Sequence, residues 1–280
     1  MNSIVLLTGS TGFVGRQVLR ALGVQNSTVR LVIRKRADVP LEHSANIDRV
    51  IRTPDLFAEP VSWWADACEG VDTIIHVAWY AEPGKYLQSS KNLDCLLGTL
   101  KLAQGAIHAE VRRFIGIGTC FEYDLSQDML SIETPLKPLT PYAGAKVAAY
   151  FGLSQCLSAE NIEFAWCRLF YLYGEGEDTR RLVPYIRTRL SSGEHADLTS
   201  GNQVRDFLDV SDAGSMIVEV AKSKTQGDIN ICSGLPVTVR QLAEKIADEY
   251  GRRDLLQFGA RPDNIMDPPC VVGMKTELVI

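Results

Sequence analysis

The sequence predicts an α/β fold: a doubly wound parallel sheet carrying a smaller C-terminal lobe. Two observations predict it. Up to about residue 173, short apolar runs alternate with longer helical patterns, the rhythm of parallel strands joined by right-handed helical crossovers. The first run also leads directly into Thr8-Gly9-Ser10-Thr11-Gly12-Phe13-Val14-Gly15 and a helical pattern, where glycines allow a tight turn and a close backbone approach.

Strands are expected over residues 3–8, 29–34, 47–51, 73–77, 114–118 and 164–168. Each is a short apolar run bounded by turn residues or charges, as in a sheet covered on both faces. Helices over 13–22, 63–68, 87–109 and 141–158 supply the crossovers. After about Tyr173 the pieces shorten and Gly and Pro interrupt them. Helices are expected there over 182–190, 210–221 and 239–250, with strands over 196–198 and 228–231. The expected division is a first domain over 1–173, to which some later segments return, and a smaller lobe over 174–280.

Bulk properties exclude several classes of function. A chain of 280 residues that is 46% hydrophobic can bury a full core. Its net charge of -5 argues against nucleic-acid or membrane-surface partners, which require a basic field. The run Ile4-Val5-Leu6-Leu7 is too short to span a bilayer and lacks the basic start of a signal peptide, so a cytoplasmic location is expected. Seven scattered cysteines without a C-x-x-C spacing read as reduced thiols. His43, His108 and His195 have no carboxylate or cysteine at ligand spacing. Residues 174–178, Gly-Glu-Gly-Glu-Asp, lack alternating oxygen ligands and read as a lip of the site. No metal site is expected. The Trp63-Trp64 pair is read as packing against the sheet rather than as a stacking platform.

The glycine loop after the first strand is read as a dinucleotide cradle, with the pyrophosphate on the helix N-terminus. Arg34-Lys35-Arg36 closes the second strand, where an acidic residue would bind ribose hydroxyls and a basic one a 2′-phosphate. Arg34 therefore predicts NADP, with NAD possible, and a solvated charge cluster is the alternative. Tyr142 and Lys146 stand four apart in a helical stretch and so share one face. A tyrosine serves as a proton carrier near neutrality if its pKa of about 10 falls by roughly 3 units, and a fixed cation beside it acts in that direction. Such a pair also arises by chance on a solvated face. Thr119 ends the fifth strand on the ligand side and is placed to orient a substrate oxygen; the alternative is a buried Thr bonding its own backbone.

Taken in order, several segments make the chain resemble the extended short-chain dehydrogenase/reductase family of NAD(P)-dependent nucleotide-sugar epimerases, dehydratases and reductases. They are the glycine loop, Asp55-Leu56, His76-Val77-Ala78, Thr119, Tyr142-x-x-x-Lys146, Arg168-Leu169-Phe170-Tyr171-Leu172-Tyr173-Gly174 and Val204-Arg205-Asp206-Phe207-Leu208-Asp209-Val210. The resemblance covers nearly the whole chain. It implies a Rossmann domain followed by a nucleotide-sugar lobe, with Tyr142 as acid/base residue, Lys146 on the nicotinamide ribose, and Thr119 as the third catalytic member. It also implies a cofactor site at Gly9, Thr11, Gly12, Phe13, Val14, Gly15, Arg34, Asp55, Leu56, Ala78, Tyr142 and Lys146. Substrate contacts are implied at Thr119, Cys120, Tyr171 and Arg205, although a salt bridge to Asp206 or Asp209 is the other reading of Arg205. A homodimer is implied through the helices over 87–109 and 141–158.

Departures from the family pattern narrow the expectation. The 4,6-dehydratases carry an Asp-Glu pair after the catalytic Thr, where this chain has Cys120 and Phe121. Neither moves the proton that water elimination requires. Cys95 and Tyr171 each stand where the family commonly has Asn. Residues 272–280 end the chain where relatives usually continue through another helix, so an abbreviated or truncated lobe is expected. The resulting expectation is an NADPH-dependent reductase of a nucleotide-activated 4-keto-6-deoxy sugar. A nucleotide-sugar 4-epimerase is the competing reading, and a non-enzymatic NADP-binding scaffold is the alternative from another class.

Overall fold

In a computed structural model that describes residues 3–40, 45–264 and 267–279, the chain starts with β1 (Ile4–Thr8), α1 (Phe13–Val24), β2 (Thr28–Arg34), β3 (Asn46–Thr53), α2 (Val61–Cys68) and β4 (Thr73–His76). It continues through α3 (Lys91–His108), β5 (Arg113–Thr119), β6 (Met129–Leu130), α4 (Pro141–Ala159), β7 (Glu163–Leu169) and β8 (Tyr171–Tyr173). The remainder comprises α5 (Leu182–Ser191), β9 (Ala196–Leu198), β10 (Val204–Asp209), α6 (Val210–Lys222), β11 (Gly227–Ile231), β12 (Pro236–Thr238), α7 (Val239–Tyr250), β13 (Leu256–Phe258) and β14 (Cys270–Gly273). His43 lies outside the described residues.

The main sheet runs β3-β2-β1-β4-β5-β7-β11, with every neighbouring pair parallel. Its strand order reverses between β1 and β4, the point at which a crevice opens beyond the carboxyl ends of the strands. One face carries α1 and α6 over Leu7, Leu31 and Ile115. The other carries α2, α3 and α4 over Leu6, Phe114 and Trp166. Trp64 is fully buried in that second layer, with Trp63 edge-on to it at 4.9 Å. β5 is buried at every position, including Arg113. Its two terminal guanidinium nitrogens donate to the carbonyls of Val220 and Thr225 at 2.9 and 2.6 Å and to Glu163 at 2.8 Å, while its buried Nε has no hydrogen-bond partner.

Two expectations need correction. The sheet has a seventh strand, because β11, read as part of the lobe, pairs with β7 in the register Ile229↔Cys167. Burial of Ile229 and Ile231 beside β7 is the driving contact, and no local pattern of residues 228–231 distinguishes it from a lobe strand. The helix expected over 87–109 is also interrupted. A short 3-10 turn at Tyr86–Gln88 precedes α3, and the buried Asn92 amide donates to the Tyr86 and Ser89 carbonyls at 2.6 and 2.9 Å. That side chain competes with the helical ladder and ends it.

The smaller lobe has a sheet ordered β12-β10-β14-β6, to which β8 adds beside β10. α5 and α7 enclose a separate core of Ile186, Leu190, Leu198, Leu242 and Ile246. Among the described residues no helix is long and apolar enough to cross a membrane.

Candidate active site

A cavity of about 920 Å³ opens at the carboxyl ends of the central strands. Gly9, Thr11, Gly12, Phe13, Val14 and Gly15 form one wall. Gly9 has φ +76°, and a Cβ there would lie 2.7 Å from the Ala78 nitrogen. A Cβ on Gly15 would lie 2.0 Å from the Gly9 carbonyl oxygen. These two positions admit only glycine, and their contacts set α1 directly behind the loop. Gly12 caps α1 without a side chain, and its first turn holds no acidic residue, so the first-turn N–H groups face the cavity region free of a competing carboxylate. The cradle fits a dinucleotide pyrophosphate.

The floor of this end is a hydrogen-bonded chain. Ala78 N donates to Thr8 Oγ1 at 3.2 Å, and His76 bridges Thr8 Oγ1 and Thr99 Oγ1 at 2.8 and 2.9 Å. Thr99 gives its own proton to the Cys95 carbonyl at 2.8 Å. The network therefore assigns Nε2–H to His76, with Nδ1 accepting from Thr8. Burial, helped by the Lys146 charge, lowers the His76 pKa to about 3, so the ring is a neutral relay that fixes Ala78 against Gly9. Arg34, Asp55, Leu56 and Ala78 all line the cavity. The Arg34 side chain is exposed and makes no hydrogen bond or ion pair among the described residues. Asp55 accepts from Phe57 N at 3.0 Å.

Thr119, Tyr142 and Lys146 converge on the same cavity. Thr140 caps α4 by accepting from Ala143 N at 3.2 Å, and Pro141 pre-sets the first turn. Tyr142 thus sits at the helix start, with Lys146 one turn on. Lys146 is buried, donates to the Ile117 carbonyl at 2.6 Å and lies 3.7 Å from the centroid of the Trp79 ring. Burial lowers its pKa to about 7, against the opposing influence of Glu122 and Cys95. Tyr142 contacts the edge of Tyr86 at 4.8 Å between ring centroids. Burial raises its pKa, Tyr86 and Glu122 raise it further, and the hydrogen bond to Thr119 lowers it. The expectation that Lys146 lowers the phenol's pKa is not what the protein groups produce by themselves, because the ammonium is turned to Ile117 and Trp79.

Thr119 Oγ1 also accepts from Phe121 N at 3.3 Å, and Glu122 Oε1 accepts from Thr119 N at 2.8 Å. The hydroxyl thus bonds its own backbone, and the residue also lines the cavity. Cys120 and Phe121 line the cavity. The neighbouring carboxylate, Glu122, is fully buried and turned away: it accepts from Trp166 Nε1 at 3.0 Å and from Arg168 Nε at 2.7 Å. Arg168 in turn reaches Asp228 at 2.5 Å and Tyr123 OH at 3.2 Å. This network locks β5, β7 and β11 beneath the reacting end and presents no carboxylate to it. Sequence reasoning missed the network, together with Trp79, Tyr86 and Arg181 in the lining. A tryptophan immediately after the His-Val-Ala strand end was the available signal for Trp79.

Tyr171 lines the cavity, edge-on to Phe121 at 6.1 Å. Arg205 does not. It is buried behind Tyr171, its guanidinium 5.2 Å from that ring, and donates to the Val204 carbonyl at 2.8 Å. Its Nη2 is 2.9 Å from Asp267 Oδ2 in an ion pair, and that buried atom has no hydrogen-bond partner. The ion pair is thus with Asp267, not with Asp206 or Asp209. Asp206 instead accepts from the backbone N–H groups of Ser233 and Gly234 at 2.7 and 2.9 Å. Among the described residues no group of His, Cys, Asp and Glu is placed to hold a metal ion, and all seven cysteines are free.

Comparison with known proteins agrees with this geometry. Residues 5–232 match the model of the NAD dependent epimerase/dehydratase family. The dTDP-6-deoxy-L-talose 4-dehydrogenase (NAD(+)) of Aggregatibacter actinomycetemcomitans is 24% identical over 97% of this chain and 99% of its own length. The GDP-6-deoxy-D-mannose reductase of Pseudomonas aeruginosa is 27% identical, covering 89% and 80% of the two chains. The structure of MoeE5 in complex with UDP-glucuronic acid and NAD has the same fold, with a TM-score of 0.81 at 24% identity over 98% of this chain and 90% of that one. The chain belongs to the NAD dependent epimerase/dehydratase family, in the extended short-chain dehydrogenase/reductase group, and is an enzyme of oxidoreductase or epimerase type.

Proposed function

We propose that the protein is an NADPH-dependent reductase of a nucleotide-activated 4-keto-6-deoxy sugar. The observation that carries this reading is the pairing of Thr119, Tyr142 and Lys146 with a sugar end whose flanking residues are Cys120 and Phe121. The first set suits carbonyl reduction; the second offers no acid or base for removing water. Two curated relatives whose names specify 6-deoxy sugars, a 4-dehydrogenase and a reductase, support the substrate class.

The residues divide the work as follows. A bound nicotinamide supplies the hydride, and in its oxidised form a positive charge near the phenol. Thr119 holds the substrate carbonyl through its hydroxyl, and Tyr142 donates the proton to that oxygen. Lys146 keeps a cation at this end and is positioned to hold ribose hydroxyls. Gly9, Gly12 and the α1 N-terminus hold the pyrophosphate, Asp55 and Leu56 flank the adenine, and Arg34 meets the 2′-phosphate. Tyr171, with Arg205 behind it, is assigned to the nucleotide-sugar side.

Helices α3 and α4 pack side by side and expose Leu93, Leu97 and Phe151, each more than half accessible. A homodimer through this face is part of the proposal, and size-exclusion chromatography of Leu97→Asp tests it.

Incubation with NADPH and a panel of nucleotide 4-keto sugars tests the activity directly. Loss of NADPH absorbance with one of them is expected. No loss with any, together with tightly bound NAD and interconversion of two sugars without added cofactor, would make the protein a 4-epimerase.

A further inference from the structure

Lys146 is 3% exposed, and ordinary ion pairing does not explain how its ammonium is held there. Among the described residues its hydrogen bond is to the neutral Ile117 carbonyl. No carboxylate lies within salt-bridge distance of it among the described residues, and Glu122 is committed to Arg168. What does face Nζ is the indole of Trp79, 3.7 Å from ring centroid to nitrogen, with Trp166 farther off at 5.9 Å. A buried cation over an indole face gains more than it would at a surface.

The indole is itself held. Trp79 Nε1 donates to Asn92 Oδ1 at 2.8 Å. Asn92 is 1% exposed, and its amide nitrogen donates to the Tyr86 and Ser89 carbonyls. One buried amide therefore holds the Trp79 ring, which faces Lys146, and the backbone of Tyr86, whose ring touches Tyr142. The interrupted start of α3 is the structural consequence of this arrangement.

We propose that Trp79, keyed in place by Asn92, is a positioning residue that keeps the Lys146 ammonium charged and fixed at the reacting end. The role given to Lys146 rests on the proposed reductase reading; the hold of Trp79 on Lys146 does not. The other titratable groups facing Lys146 are Glu122 on the turn after β5, Cys95 on α3, the neutral His76 on β4, and Tyr142 on its own helix. The Trp79 side chain hydrogen-bonds none of them, its indole N–H being given to Asn92.

The test follows the Lys146 titration by NMR of full-length protein labelled at the lysine ε-carbon, with the Lys146→Arg variant identifying the signal. The midpoint is expected to fall by about one pH unit in Trp79→Leu, less in Trp79→Phe, which keeps a π face, and to fall also in Asn92→Leu. An unchanged midpoint in a folded Trp79→Leu or Trp79→Phe protein overturns the proposal, whatever happens to thermal stability. In the rate profile, activity that needs the cation is lost as pH rises through the lysine pKa, so this limb is expected to move to lower pH by the same amount. A shifted NMR midpoint in a protein that reduces no sugar would defeat the functional reading and leave the role of Trp79 standing.

Discussion

The two ends of the cavity are built by different means. At the cofactor end the determinants are backbone: Gly9 and Gly15 are fixed by distances of 2.7 and 2.0 Å that no Cβ tolerates, and the His76 relay holds Ala78 to them. At the end proposed to take the sugar the determinants are side chains gathered from distant segments. Phe121 follows β5, Tyr142 begins α4, Tyr171 lies in β8 and Arg205 in β10. A backbone cradle leaves one solution per ligand, whereas an aromatic wall can be redrawn one residue at a time. Substitutions are therefore expected to be catastrophic or structural at the first end and graded at the second, with the reacting pair between them giving the largest effect.

Tyr142→Phe is expected to lower kcat by about 10²–10⁴-fold, the contribution of a positioned proton donor, with dinucleotide affinity unchanged by fluorescence titration. Activity within a few-fold of the parent would place proton transfer elsewhere. Gly15→Ala is expected to destabilise the fold by about 3 kcal/mol in chemical denaturation, because its Cβ would meet backbone that has no rotamer to move. A stable, cofactor-binding Gly15→Ala protein would mean that the cradle is softer than its geometry indicates.

Lys146→Met separates function from stability. Burial holds the folded-state pKa at about 7, below the ordinary 10.5. A depressed lysine destabilises the fold where it is charged in both states, below pH 7, and this cost fades as pH rises from about 7 toward 10.5. Activity is expected to collapse, while Tm at pH 6 rises by about 2–4 °C for each kcal/mol relieved. The gain should shrink as pH rises. An equal change in Tm at pH 6 and pH 10 would sink the assignment of a strained buried cation. A smaller effect is expected at the cofactor rim: Arg34→Ala should weaken NADP binding about tenfold and NAD binding far less, since a single charge-assisted contact is at stake. Equal losses for both would make Arg34 a solvated charge.

What the sequence revealed follows the same division. Gly9, Gly12 and Gly15 were legible because a backbone constraint leaves its mark at the position itself, and Tyr142 with Lys146 because both lie on one helix with a fixed period. Thr119 was legible as a strand end. The bond from Asn92 to Trp79 was not, since it joins the loop after β4 to the first turn of α3 and depends on how that turn breaks. Nor was the Glu122–Arg168–Asp228 network, whose members come from three strand regions. β11 was misassigned for the same reason: its membership of the main sheet is decided by β7, about 60 residues earlier. The placement of Arg205 behind Tyr171 was hidden too, because Asp267 and Tyr171 flank it only in three dimensions.

That last contact sets the gentlest test of the comparison, Tyr171→Phe. The phenol touches Arg205 and the cavity at once, and burial raises its pKa, so it acts as a neutral hydroxyl throughout the working range. Arg205 keeps its Val204 carbonyl and its proximity to Asp267 when the hydroxyl is removed, and the phenylalanine ring still supplies a face for the guanidinium. What is lost is the hydroxyl offered to the proposed sugar, one neutral hydrogen bond with a net effect of about 1 kcal/mol. KM for the nucleotide sugar is expected to rise about fivefold with kcat unchanged, the signature of binding shared by ground and transition states. A hundredfold loss, or a loss confined to kcat, would mean that Arg205 reaches the sugar through Tyr171 and that the sugar end is as tightly determined as the glycine cradle.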